Sequence, residues 1–153
     1  MIEGGRPDDR SRIDIRDDRD DALDAFLADR IYEFNARATG LFDGRALNGS
    51  IKDHAGKVIA AVTGHTWGGT CQVNYLWVDP SHRRLGLGRA LMRAVEAEAT
   101  RRNCTQVILF THSFQAPAFY EALAYVRQAT IANYPTGHAQ LLFLKHLERA
   151  RGA

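Results

Sequence analysis

The stretch Val78-Asp79-Pro80-Ser81-His82-Arg83-Arg84-Leu85-Gly86-Leu87-Gly88-Arg89-Ala90-Leu91-Met92 decides how the chain is read. An apolar run ends at Val78, Pro80 breaks it, and a basic loop with two glycines opens a helix. Without a Cβ at positions 86 and 88, backbone N–H groups can approach a bulky anion closely. The helix that follows offers free N–H groups and the positive end of its dipole to the same anion. Arg83, Arg84 and Arg89 add positive charge. This pattern suits a phosphate or pyrophosphate. A strand-to-helix turn with solvated arginines has the same glycine spacing, so the spacing alone leaves both readings open. A Walker phosphate loop is excluded, because no Gly-Lys-Ser/Thr follows.

Outward from the loop, Thr70 to Val78 reads as a strand, the third of a meander whose other members are Arg45 to Lys52 and Lys57 to Trp67. Asp53-His54-Ala55-Gly56 and Gly68-Gly69 supply the turns. Leu87, Leu91, Val95 and Ala99 recur every four residues and, with Ala94, define the apolar face of a helix from about Leu87 to Arg102. Gln106 to Phe110 is a short apolar strand of the kind buried on both faces. Pro117 starts a helix that closes near Ala124. Arg127 to Tyr134 and Gln140 to Lys145 are two further strands, joined through Pro135-Thr136-Gly137. Upstream, alternating Ile13 and Ile15 predict a short strand. Asp20 or Asp21 caps a helix carrying Ala22, Leu23, Phe26, Leu27 and Ile31, which breaks between Asn35 and Gly40.

The segment Ser113-Phe114-Gln115-Ala116-Pro117-Ala118-Phe119-Tyr120-Glu121-Ala122-Leu123-Ala124-Tyr125 adds a second motif. Together with Arg83-x-x-Gly86-x-Gly88 it resembles the paired signatures of the GNAT superfamily of N-acetyltransferases, in the same order and at the same separation. The resemblance covers roughly residues 12 to 147. It implies an α/β (α+β) fold in one domain: a mixed, mostly antiparallel sheet of six to seven strands, splayed at the cofactor site and flanked by about four helices. Residues 1–11 and 148–153 are expected to be tails.

By the same resemblance the cosubstrate is acetyl-CoA. The backbone of Leu76, Trp77 and Val78 would pair with its pantetheine arm, and Arg83, Arg84, Leu85, Gly86, Leu87, Gly88 and Arg89 would hold the pyrophosphate. Ser113 and Gln115 would contact the arm, with Ser113 standing where many members have asparagine. Tyr120 would give a proton to the leaving thiolate, although an aromatic residue of an amphipathic helix also packs without any such role. The Val78 N–H is the candidate oxyanion donor. Ala124 stands where glycine often closes the second helix, so that helix is expected to end differently here.

The base is less legible. A carboxylate is used by some members, yet no acidic residue lies in 70–78 or 106–110. Glu33 is the carboxylate candidate, Asn35 a substrate-binding candidate, and His65, His112 and His138 are alternatives because imidazole exchanges protons near neutrality. A relay through water is equally open. The implied reaction is transfer of an acetyl group to a primary amine of a small molecule, peptide or protein, by direct attack in a ternary complex. The alternative is an acyl-CoA-binding sensor that does not turn over.

Composition narrows the partners. A chain of 153 residues with 45% hydrophobic and 25% charged residues is an ordinary single globular domain. A net charge of +2 and arginines split between the two ends of one helix give no continuous stripe for nucleic acid. No apolar run approaches the roughly 18 residues of a membrane span. Two cysteines, Cys71 and Cys104, fall in or beside core elements and read as buried thiols, without metal-ligand spacing. These features lead to the expectation of a cytoplasmic enzyme without a metal. The resemblance adds a homodimer.

Overall fold

The computed structural model describes residues 13–149. Of the tails expected at 1–11 and 148–153, residues 1–11 and 150–153 lie outside them. Six strands form one sheet in the order β1-β2-β3-β4-β6-β5. They are β1 (Arg45–Lys52), β2 (Val58–Trp67), β3 (Thr70–Val78), β4 (Gln106–His112), β5 (Val126–Ala132) and β6 (Ala139–His146). Only β3 and β4 are parallel; the other neighbours are antiparallel. Three α-helices accompany the sheet: α1 (Asp21–Thr39), α2 (Leu87–Arg101) and α3 (Pro117–Ala122). Among the described residues a 3₁₀ turn spans Pro80–His82.

Alternation along the strands turns Val62, Cys71, Val73, Val107, Leu109, Leu141 and Phe143 to one face. There they bury against Leu91, Met92, Val95 and Ala99 of α2 and Tyr120 of α3. The buried face of α2 thus includes Met92, not the exposed Ala94 that sequence reading assigned to it. At 3.6 residues per turn, position 92 lies between 88 and 95–96 on the sheet side, and 94 is rotated off it. Cys71 and Cys104 are free and buried.

Where β3 meets β2, the register shifts between Thr63 and Gly64, leaving Asn74 as the extra residue of a bulge. Gly64 makes this possible: a Cβ there would collide with the Gln72 carbonyl oxygen. Beyond the bulge the faces of β3 exchange. Leu76 and Val78 turn to the core, and Tyr75 and Trp77 turn out.

Three expectations need correction or refinement. Residues 13–20 form no strand, because the segment joins no ladder that could satisfy its backbone groups, and Ile13 and Ile15 are exposed. The break expected between Asn35 and Gly40 comes only at the end of that stretch: the first helix runs unbroken to Thr39, from an Asp20 cap (Leu23 N–H to Oδ1, 2.9 Å) to left-handed Gly40. Ala124 does not avoid the left-handed region: its φ is +70°, so α3 closes as if a glycine stood there.

Candidate active site

β3 and β4 pair only from Thr70–Gln106 to Val73–Leu109. Both strands continue past those rungs, to Val78 and to His112, without pairing to one another. The result is a split that opens at the C-terminal ends of two parallel strands. Its β3 wall can be read from the β2 ladder. The Asp79 N–H donates to the Ile59 carbonyl at 2.8 Å, so Val78, opposite Ala60, is a non-hydrogen-bonded ladder position. Leu76, two residues back, is another. The N–H and C=O groups of Leu76 and Val78 therefore face the split, and those of Trp77 face β2. Of the three backbone positions expected to meet a pantetheine arm, Leu76 and Val78 are turned toward it. Trp77 is not, because ladder groups alternate. Leu76 is nearer the apex than Val78.

At the mouth of the split, Asp79 holds the start of the loop. Its Oδ1 accepts from the Ser81 N–H and from Ser81 Oγ, both at 3.0 Å. These bonds, the Ser81 N–H foremost, hold the Asp79 carboxyl below the usual carboxylate range. Arg84 (φ +63°) and Gly86 (φ +78°) are both left-handed, and such alternation gathers successive N–H groups around an anion-sized concavity. Gly86 is the N-cap of α2 and no side chain caps that end, so the first-turn amides carry no side-chain partner. Gly88 serves a different need. A Cβ there would meet the Phe119 ring at 3.3 Å and Val78 at 3.6 Å, so α2, α3 and β3 converge on that position. Arg84 and Arg89 are exposed and make no ion pair with any described residue. Arg83 Nε donates to the Val78 carbonyl at 3.3 Å, on the open side of β3.

The α3 side supplies a phenol. Tyr120 is 7% exposed and packed against the rings of Phe119, Tyr125 and Phe143. Burial pushes its phenol up to about 12. Its hydroxyl has no hydrogen bond to a described residue, whereas neighbouring Tyr125 donates to Glu96 Oε1 at 3.0 Å. Glu96 is also bound by Lys145 Nζ at 3.0 and 3.1 Å, a purely structural arrangement. Ser113 is tied to β6: its N–H donates to the Ala139 carbonyl at 2.8 Å and its Oγ accepts from the Ala139 N–H at 3.0 Å. Gln115 Oε1 accepts from the His112 N–H at 2.8 Å, which commits it to the turn after β4.

Leu76 and Val78 line the split and residues 83–89 form the loop that follows β3; Tyr120 packs beside Phe119, whose ring approaches Gly88, and Ser113 is tied to β6. Glu33 and Asn35 lie on α1, and their hydrogen bonds and ion pairs among the described residues are all within that helix. Glu33 lies on the exposed face of α1, paired through one oxygen with Arg37 (2.6 Å) and through the other with Arg30 (3.1 Å). The loop after α1 is anchored by Trp67 Nε1–H to the Leu41 carbonyl and by the Gly68 N–H to Asp43 Oδ1. Both bonds lie at the β2–β3 turn, the end of the sheet away from the split. Sequence reasoning missed the bulge at Asn74, although Gly64 inside a strand was its signal. It also missed the Tyr134 carbonyl beside His112, for which a linear sequence holds no signal.

Known proteins share this fold. The family model described as the acetyltransferase (GNAT) family matches residues 12–125. Blasticidin-S acetyltransferase of Streptomyces morookaense is 36% identical over 93 residues, 60% of this chain and 68% of that protein. A crystal structure of an acetyltransferase from Bacillus cereus aligns with a TM-score of 0.72 at 26% identity, over 88% of this chain and 98% of that one. The ribosomal-protein-S18-alanine N-acetyltransferase of Escherichia coli aligns with a TM-score of 0.62 at 26% identity, over 69% and 72%. The split sheet, the glycine loop and the α3 tyrosine thus define an acyltransferase class. The chain belongs to the GNAT family and is an N-acetyltransferase.

Among the described residues no helix is long and apolar enough to cross a membrane. No group of three or more His, Cys, Asp or Glu among them is placed to hold a metal ion.

Proposed function

We propose that the protein moves the acetyl group of acetyl-CoA to a primary amine by direct attack in a ternary complex. Acetyl-CoA supplies a thioester carbonyl and a thiol leaving group. The residues present fit it: the split leaves the backbone groups of Leu76 and Val78 facing an opening, and buried backbone groups need partners. An amide-bearing arm laid in the opening would satisfy them as a short strand does. The amides of residues 84–88 and the unpaired Arg84 and Arg89 suit a pyrophosphate. The Leu76 and Val78 N–H groups are the preset donors for a developing oxyanion.

The observation that carries the reading is the free hydroxyl of Tyr120. Its ring is nine-tenths buried, while the hydroxyl reaches accessible space and is not an orphaned buried group. That hydroxyl bonds to no described residue, and burial keeps it protonated at neutral pH, so it is set to donate a hydrogen bond to the leaving sulfur, its own proton passing on only as the surplus nitrogen proton replaces it through water. A binding-only protein has no need of that proton donor. Replacing Tyr120 with Phe is expected to lower kcat about 100-fold, while coenzyme A affinity by calorimetry stays within about twofold. Unchanged turnover in the variant would remove Tyr120 from the mechanism. Coenzyme A binding by the unaltered protein without thiol release for any amine would favour the sensor reading.

A second copy of the chain is part of this reading. Every residue of β5 is exposed and its outer edge is unpaired. The apolar stripe Leu23, Phe26, Leu27, Ile31 and Phe34 of α1 is also exposed. Sedimentation is expected to give a dimer, and a monomer at all concentrations would discard that part. A cytoplasmic setting accords with the two free thiols.

A further inference from the structure

The reaction just described needs a group to take the proton of the incoming ammonium. Neither β3 nor β4 carries an acidic residue, and both oxygens of Glu33 are engaged by arginines on α1. At the end of β4, however, four rings meet. His112 is stacked on Phe114 (centroids 5.4 Å apart, planes 3° from parallel). Tyr134 stands edge-on to His112 at 5.2 Å, and His138 edge-on to Phe114 at 5.0 Å.

His112 is three residues past Leu109, the last residue of β4 that pairs with β3. That places it about 10 Å beyond the apex, along the wall of the split. Val107, Leu109 and Thr111 are buried under the helices, so Phe110 and His112 belong to the opposite face of the sheet. Tyr120 occupies the helix side. An acid and a base on opposite sides of the split serve two different protons, one at sulfur and one at nitrogen.

The ring's chemistry is fixed by one bond. His112 Nδ1 lies 3.1 Å from the Tyr134 backbone carbonyl, which can only accept. Nδ1 therefore carries the hydrogen, and Nε2 carries a lone pair. Nε2 has no hydrogen bond to a described residue, and the side chain is only half-buried. The titratable side chains in the ring cluster around it are Tyr134 and His138 of the β5–β6 loop; the adjoining Ser113 and Gln115 do not titrate.

We propose that His112 is the base of the transfer: Nε2 takes the proton of the incoming primary ammonium while Nδ1–H stays on the Tyr134 carbonyl. This rests on the acetyl-transfer reading above. The exposed π faces beside it attract the cation before it is deprotonated. The balance is complete. Nε2 removes one proton from R–NH3+, and the neutral nitrogen forms its bond to the thioester carbonyl. The carbon–sulfur bond breaks as the oxyanion collapses, and Tyr120 passes its proton to the leaving sulfur as the surplus nitrogen proton replaces it through water. The imidazolium returns its own to solvent. One proton is released per turnover.

The variant that isolates this role is His112→Asn. Asparagine Nδ2 stands where Nδ1 stood and can keep the bond to the Tyr134 carbonyl, yet nothing remains at the Nε2 position to take a proton. Acetyl transfer to a simple alkylamine at pH 7 is expected to fall about 100-fold in kcat/KM. Coenzyme A affinity is expected to stay within about twofold. The acidic limb of the wild-type pH profile should vanish. Hydroxylamine, already unprotonated at that pH, should lose far less rate than the alkylamine, and added imidazole should restore part of the loss. Equal losses for both nucleophiles, or full turnover in the variant, overturn the assignment. So does a limb that survives in His112→Asn and disappears in His138→Asn. If the unaltered protein binds no coenzyme A, the transferase reading itself fails and the base assignment falls with it. Should the variant fold poorly, wild-type turnover of the two nucleophiles from pH 5 to 9 decides alone. An acidic limb for the alkylamine that is much shallower or missing for hydroxylamine, once corrected for amine ionisation, supports the assignment, and a limb of equal depth for both, or none for the alkylamine, overturns it.

Discussion

Gly86 and Gly88 are two residues apart and serve different physical ends. Gly86 has open space around its Cβ position but sits at φ +78°. An alanine there carries a left-handed strain of about 1 kcal/mol. Gly86→Ala is therefore expected to reshape the loop and weaken coenzyme A binding measured by calorimetry, with a drop in stability of only that size. Gly88 has an ordinary φ but a crowded Cβ site. Gly88→Ala is expected to displace the Phe119 ring, and through it Tyr120, so kcat should fall more than coenzyme A affinity does. The two thiols give a third expectation at this scale. Burial pushes Cys71 up to about 11 and raises Cys104 as well. Neither should react with a thiol reagent in the native protein at pH 7, and both should react in urea.

At the scale of elements, the bulge at Asn74 does most to shape the site, since it turns Leu76 and Val78 toward the core and splits β3 from β4. It depends on Gly64, which faces the Gln72 carbonyl. Gly64→Ala is expected to cost about 3 kcal/mol in urea unfolding, because backbone must move, not a flexible side chain. At the end of α3, Ala124 at φ +70° stores strain that glycine would release. Ala124→Gly is expected to raise stability by about 1 kcal/mol, with acetyl transfer unchanged. The helix boundaries themselves were legible. Asp20 and Gly40 mark α1, and Pro117 marks α3, because capping and φ restriction are local chemistry. The strand expected at Ile13 and Ile15 was not, since alternation states a preference and a strand also requires a free edge within reach.

Across the whole molecule, helices α2 and α3 bury one face of the sheet, and the opposite face keeps Tyr75, Trp77, Phe110 and the β5 residues exposed. Charge is tied to the helix side. The Asp79 carboxyl is held low by Ser81, and the Glu98 carboxyl is held low by Arg102 and then Arg101. In both cases the folded chain binds a proton less readily than the unfolded chain. Their stabilisation is therefore fully present above the ordinary carboxylate range of about 4 and drains as pH falls through the lowered values. Urea midpoints should drop between pH 5 and pH 3, and Asp79→Asn should flatten that slope. An unchanged slope would show that other carboxylates govern acid stability.

The linear sequence determined the anion loop, the order of helices and strands, and the tyrosine that closes the second motif. Each of these rests on neighbours in the chain: glycine freedom, proline restriction, apolar period. It also determined that no carboxylate stands on either splayed strand. Only the tertiary structure decided which backbone amides face the opening, because ladder parity depends on a bulge set by a partner strand. Only the tertiary structure engaged both Glu33 oxygens and gave His112 a fixed tautomer, because residues 33, 112 and 134 acquire their surroundings through packing.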